Sequence, residues 1–455
     1  RQDQFLSVKR VEKNNKKFKF RIDIDMERII FLTGKRAAIT IDLPENCYKT
    51  AYAVRVAPVS HPFEKGTSEA PFPPARYFTV NKNAEGRLIF DYDFPYECEY
   101  VIYVDDTDEP AVQFDYYSPH QPLVKKSVYA LREDLYGLIP LKIDFHAHSN
   151  ASDGVFPPQD VCAYYRKAGF DVFALTDHYT MQGSVKAREF YNDVKMDLKL
   201  YLGEETHPLA TDPHIVNWGC EKSVNEIIYG QKELYERELR EIIEENNLQS
   251  FRSPFTIANC IWRFRKIKES GGMAIFAHPY WKLVTDTVED EVIDYIFRHD
   301  LPDAFELMGG NTVEDNNMQL NYYMQYLRDG KDVPIVGNSD SHADNAYFCE
   351  EFTIVFSEND EKNSIIDAVK KHRTVVYEQN SADTRPRLYG SNFRYTPFGS
   401  FLIREYFPAL KKQYEKEGKL MQRLCAGDAS AKDELAAQSG TIASMRDMLY
   451  GKVRK

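Results

Sequence analysis

"LKIDFHAHSNASDG", Leu141 to Gly154, carries an alternating apolar run straight into a His-x-His pair and then an aspartate. Leu141, Ile143 and Phe145 alternate with Lys142 and Asp144, the period of an extended strand. Side chains two apart on a strand face the same side, so His146 and His148 can point at one ion. Asp153 follows in the loop. The pair is a weak signal alone; the segments after it decide how it reads.

The same form recurs along the chain. "ALTDH" supplies Asp177 and His178, "LYLGEETH" supplies Glu205, and "DPHIVNWG" supplies His214. Further on, "IFAHP" supplies His278, and "GNSDSH" supplies Asp340 and His342. Eight of the 11 histidines lie between 146 and 342, and six of them fall in this set. Helical patterns stand between the apolar runs, at Pro157–Gly169, Ile257–Gly272, "EVIDYIFRHD" and "NNMQLNYYMQYLRDG". Helices alternating with short buried strands predict a parallel α/β sheet or barrel, which gathers functional groups at the carboxyl ends of its strands. Mixed imidazole and carboxylate donors suit Zn, Mn or Fe better than Mg or Ca. Nine such donors exceed the needs of one ion and imply two or three divalent ions with bridging carboxylates. A cluster of that kind activates water and clamps the oxygens of a displacement at phosphorus. Asp177 reads as support for an imidazole, and Lys282 in "HPYWK" and Arg373 are candidate phosphate contacts.

The flanks carry no such chemistry. "KFKFRIDIDM", Lys17 to Met26, and "RLIFDYDFPYECEYVIYVDD", Arg87 to Asp106, alternate with period two, so residues 1–135 read as a β-rich, sandwich-like domain. His61 and His120 are isolated there. Residues 139–380 form the α/β domain. From 381 to 455 the chain reads as an amphipathic helical appendage interrupted at Pro408. The charged stretch "NEIIYGQKELYERELREIIEENN" reads as a helix with a solvated face, with a lid over the substrate as the alternative. A net charge of −12 offers no basic field for nucleic acid or an anionic membrane. No apolar run approaches the roughly 18 residues a membrane span needs. Seven scattered cysteines without a CxxC suggest reduced thiols and a cytoplasmic location. Because the chain begins at Arg1, a removed leader is left open. Oligomeric state has no signature in the sequence.

In their order, His146 and His148, Asp153, His178, Glu205, His214, His278, then Asp340 and His342 resemble the ligand pattern of the PHP family, named for polymerase and histidinol phosphatase. The resemblance covers 139–380, with the trailing "IIDAVKKHRTVVYE". It implies a distorted (β/α)7 barrel with a trinuclear site at its C-terminal face. By that likeness His146, His148, Glu205 and Asp340 hold a first ion. Glu205 bridges to a second held by His214 and His278, and Asp153, His178 and His342 hold a third. His207 competes with His214; His214 is preferred because it opens the apolar segment "HIVNWG", as in the family. The implied activity is metal-dependent hydrolysis of a small phosphorylated substrate, a phosphomonoester first, by metal-activated water. A carboxylic or carbamic ester hydrolase and a non-catalytic metal-binding module are the alternatives.

Overall fold

A computed structural model describes residues 26–59, 75–106, 122–208, 212–281, 288–310, 312–342, 350–379 and 385–452. The alternating run 17–26, except Met26, and His61, His120 and Lys282 lie outside them. The chain divides into two units. One comprises Arg1–Gly137, Ser400–Leu410 and Ala437–Lys455, the other Leu138–Gly399 and Lys411–Ala436.

The first unit is built on a five-stranded sheet, in spatial order Ile30–Leu32, Val124–Leu131, Cys98–Asp105, Ala51–Pro58 and Arg76–Asn81. A ribbon, Arg36–Asp42 with Arg87–Asp93, packs on the same core. Alternation produces this directly: along Ala51–Pro58 every second residue, Tyr52, Val54 and Val56 among them, is buried. Phe94 centres the core, with its ring 4.7 Å from that of Phe31, 4.8 Å from Tyr92 and 5.0 Å from Tyr100.

The second unit has two sheets. Ile139–Asp144 pairs in parallel with Val172–Phe173 and antiparallel with Glu351–Ser357, which pairs with Thr374–Glu378. The other sheet runs Gly203–Thr206, Ile215–Trp218, Met273–Phe276, Ala304–Met308, Ile335–Gly337. Single parallel bridges, Ala147↔Ser341 and His178↔Glu205, link strand ends of the two sheets. The expected parallel succession breaks at Ile215–Trp218, which is antiparallel to both neighbours. The link 207–214 is too short for the crossover of about a dozen residues that parallel pairing needs.

The charged stretch is also resolved. Lys232–Glu245 buries Tyr235, Leu239, Ile242 and Ile243, a helical stripe, in one core with residues of Pro254–Glu269. With that face committed to the core, the helix is a wall of the unit rather than a cover for the site. Residues 381–455 divide between the two units. Pro408 does not interrupt them: helix runs from Tyr395–Phe401 through a π-helical stretch, Leu402–Tyr406, into Phe407–Cys425. Proline lacks an N–H and crowds the carbonyl four residues back, and the wider π turn just ahead relieves both. Beyond it, Glu417 accepts from buried Arg166 at 2.7 Å, and Tyr414 donates to Asp171 at 2.7 Å. Among the described residues no helix is long and apolar enough to cross a membrane.

Candidate metal centre

All nine residues singled out in the sequence gather where the strands of the second unit end. His146 Nε2 lies 3.1 Å from Glu205 Oε2 and 3.3 Å from Asp340 Oδ1; His148 Nε2 lies 3.4 and 3.0 Å from the same two oxygens. On its other oxygen Glu205 meets His214 Nδ1 at 2.7 Å and His278 Nε2 at 3.5 Å. Asp153 stands 3.3 Å from His342 Nε2 and 3.7 Å from His178 Nε2. The donors fall into four overlapping groups, around Asp153, around Glu205, around Asp340, and one of His146 and His278 with Glu306.

Their unmatched valences test whether this set suits cations. Both oxygens of Glu205, Nε2 of His146 and His278, and Nδ1 of His214 are buried without a hydrogen-bond partner. Buried polar atoms are rarely left so. The atoms are close, yet their lone pairs meet at shared points instead of forming donor–acceptor lines. Ligands about 2.0–2.2 Å from an ion stand roughly 3.0–3.5 Å from each other, the spacing seen around His146, His148 and Asp340. The donor set therefore fits divalent ions.

The electrostatics agree. Burial alone would push His146 down, but the carboxylates of Asp340, Glu205 and Glu306 outweigh it and hold its pKa well above the ordinary value. Burial would raise Glu205, yet His214, His146 and His178 hold it well below the carboxylate range. His148 is dominated by burial and falls to about 3. This much enclosed charge of both signs demands partners.

A ring of supporting groups fixes the candidate ligands. Glu306, which the sequence reading missed, accepts from His146 Nδ1 at 3.0 Å and from Asn338 Nδ2 at 2.6 Å, turning Nε2 of His146 toward Asp340 and Glu205. Its only signal was a carboxylate inside the apolar run "DAFELM", on a strand buried throughout. Asp144 ties both ends of the site together, accepting from the backbone N–H of His146 and Ser339 at 3.2 Å and from the Ser339 hydroxyl at 2.5 Å. Burial pushes Asp144 up to about 6, against those donors. Asp177 departs from its expected role. Its hydrogen bonds go to Ser149 N–H at 2.7 Å and to the hydroxyls of Ser149 and Ser152, so it pins the loop that carries Asp153 rather than an imidazole. Gly183 makes room for this carboxylate: a Cβ there would sit 1.7 Å from Asp177 Oδ2. His278 and Asp340 hold positive φ, 20° and 47°, as does Tyr179 at 63° beside His178. Such backbone costs about 1–3 kcal/mol per residue and persists where the surroundings enforce it.

The remaining candidates separate. Arg373 hydrogen-bonds through its backbone carbonyl to Phe356, the partner of Pro140 at the amino end of Ile139–Asp144, whereas the ligands follow the carboxyl end. It is therefore no contact for a substrate at the cluster. His207 is not excluded in favour of His214: both lie in one group with His178 and Glu205.

Residues 144–254 match the family model of the PHP domain. Over 104 residues, 22% of this chain, the sequence is 32% identical to a 5'-3' exoribonuclease of Haemophilus influenzae; the match spans 38% of that relative's length. Among solved structures, a Bacteroides vulgatus two-domain protein containing a predicted PHP-like metal-dependent phosphoesterase is 19% identical, with a TM-score of 0.38, covering 53% of this chain and 66% of its own. An amidohydrolase from Chromobacterium violaceum is 18% identical, with a TM-score of 0.29, covering 45% and 89%.

Proposed function

We propose that this chain, which carries a PHP domain over 144–254, is a metal-dependent phosphoesterase acting on a small phosphorylated substrate, a phosphomonoester first. The observation that carries the reading is the convergence of buried imidazole and carboxylate atoms whose hydrogen-bonding capacity is unmet. Two or three ions, Zn, Mn or Fe, would be held by the nine ligands in the arrangement that the PHP resemblance implies. Bound there, they supply Lewis-acid stabilisation of phosphoryl oxygens and a water made nucleophilic near neutral pH.

The chain's own residues set the direction of approach. The side chains of His146, His148 and Glu205 are sealed from solvent, whereas those of Asp153 and His342 are 59% and 31% exposed. A phosphate group would enter from that side, past the loop held by Asp177. Glu205 and Asp340 hold imidazoles from several strand ends in one constellation, and Glu306 fixes which nitrogen of His146 faces inward. A reducing cytoplasm suits the cysteines, five of which are buried among the described residues.

Elemental analysis of the purified protein, with a panel of phosphate and carboxyl esters assayed after loading with Mn, Fe or Zn, tests the reading. Bound metal and turnover of phosphomonoesters are expected. Turnover of only the carboxyl esters would move the chain to carboxylic or carbamic ester hydrolysis. Absence of any turnover, with metal bound, would leave a binding module. A short RNA belongs in the panel because the curated relative is named an exoribonuclease, although the charge of −12 opposes long-range attraction of a polyanion.

A further inference from the structure

His207 belongs to no ligand position of the pattern that first marked the site, yet it is built into the cluster. It sits just past the strand Gly203–Thr206, two residues beyond Glu205, and is 4% exposed. Its ring stacks on His214, with centroids 3.9 Å apart and planes 18° from parallel. Its Nε2 is 2.7 Å from His178 Nδ1, which itself lies 2.8 Å from Glu205 Oε2. Its other nitrogen is buried without a partner.

The backbone explains why His207 and His214 act as a pair. Arg263, fully buried on the helix Pro254–Glu269, donates from Nη1 to the carbonyls of both Thr206 and Pro213, the latter at 2.7 Å. Those residues immediately precede His207 and His214. One guanidinium thus fixes the chain just before each imidazole, on both arms of the antiparallel pair. A bystander histidine would need no such anchoring.

We propose that His207 is a metal ligand alongside His214, in an imidazole-rich pocket with Glu205 and His178, whose Nδ1 lies 2.8 Å from Glu205 Oε2; this departs from the resemblance, which pairs His178 with Asp153 and His342, and leaves a neighbouring pocket of different character around Asp153. The inference rests on the metal-centre reading above. His178, Glu205, His207 and His214 each offer a donor atom, all within 4.8 Å of one another. Three imidazoles and one carboxylate are a zinc-type donor set, whereas more oxygen shifts preference toward Mn. The chain would therefore hold unlike ions, with zinc selected at this pocket.

The test is zinc and cobalt titration of metal-stripped full-length protein, comparing wild type with His207→Ala, His207→Gln and His214→Ala, each checked for folding by circular dichroism. His207→Ala is expected to weaken the tightest zinc site at least about tenfold and to alter the visible absorption of the Co(II) form, as His214→Ala does. Added imidazole should restore the affinity of His207→Ala. His207→Gln, which keeps a hydrogen-bonding group near His178, should not. Wild-type affinity and spectrum in His207→Ala, or full recovery in His207→Gln, would overturn the proposal and leave His207 as a positioning residue for His178. A wild-type protein that bound no ion would instead sink the metal-centre reading itself.

Discussion

The two units bury different things. Around Phe94 the first unit encloses aromatic rings and branched aliphatics, and Asp105 is its one buried acidic group among the described residues. The second unit buries His146, His148, Asp144, Asp177, Glu204, Glu205, Glu306 and Glu351. Hydrophobic burial is non-directional and tolerates approximate fit, whereas enclosed charge must be answered atom by atom. Within the second unit the contrast narrows to two adjacent residues. Glu204 and Glu205 point to opposite faces of one strand. Glu204 accepts from Asn217, Ser223, Val224 N–H and Asn225, the last at 3.1 Å, while both oxygens of Glu205 lack a donor. The first carboxylate is structural and closes its own accounts; the second is left open toward the cluster.

The largest effect should separate the units. Phe94→Ala removes the ring at the centre of the first core and should cost about 3–5 kcal/mol, read as a lower denaturation midpoint. Metal content per folded molecule should stay at the wild-type value. If ions were lost together with the ring, the division between an apolar unit and an ion-bearing unit would be wrong.

Next comes the paired test at 204 and 205. Glu205→Gln should weaken metal binding by more than about 100-fold, beyond what loss of a supporting group costs, and activity should fall with it. Glu204→Gln puts an amide donor among groups that already donate, so it should cost about 1–3 kcal/mol of stability while the ions stay bound. Elemental analysis and denaturant titration of both variants decide it. Equal metal loss in the two would erase the distinction drawn between them.

Glu351 offers a smaller, pH-dependent test. Burial pushes it up to about 9, with Glu350 and Glu378 adding to the effect, and neither oxygen has a partner. The sign follows from its raised value. Below its ordinary value of 4.5 both folded and unfolded chains hold the proton, and the stability is fully present. As pH climbs toward 9 the folded chain keeps a proton that the unfolded chain has released, and stability falls. Glu351→Gln cannot ionise and should flatten that decline. Parallel stability curves for the two proteins between pH 5 and 9 would show that Glu351 is already ionised in the folded state.

What was legible in the sequence was local. An imidazole or carboxylate after an apolar run marks a strand end, and the run of such ends drew out every residue of the cluster except Glu306, with His207 set aside for His214. Glu306 was hidden because a strand buried on both faces has no alternation to make one charged residue stand out. Strand direction was hidden too: period two marks Ile215–Trp218 as extended but says nothing of its antiparallel pairing. The tail shows the same limit, since amphipathicity says that a face is buried, not against what. Glu417 and Tyr414 find Arg166 and Asp171 only through the fold.

Arg373 carries the smallest expected effect and the sharpest form of the comparison, between the two ends of one strand. A cation near a candidate phosphate site invites a role in binding phosphate, and charge alone supports it. Register removes it. Phe356 pairs with Pro140 and donates its backbone N–H to the Arg373 carbonyl, so the arginine belongs to the amino end of Ile139–Asp144, while His146 and His148 follow the carboxyl end. At roughly 3.3 Å per residue the six residues of that strand put on the order of 20 Å between them, well beyond a Debye length of about 8–10 Å in physiological salt. Arg373→Ala should therefore leave KM and kcat for a phosphomonoester within about twofold of wild type, a difference under about 0.5 kcal/mol. A rise in KM of tenfold or more would mean that substrate reaches the amino ends of the strands, and the site would have to be drawn across the whole depth of the unit.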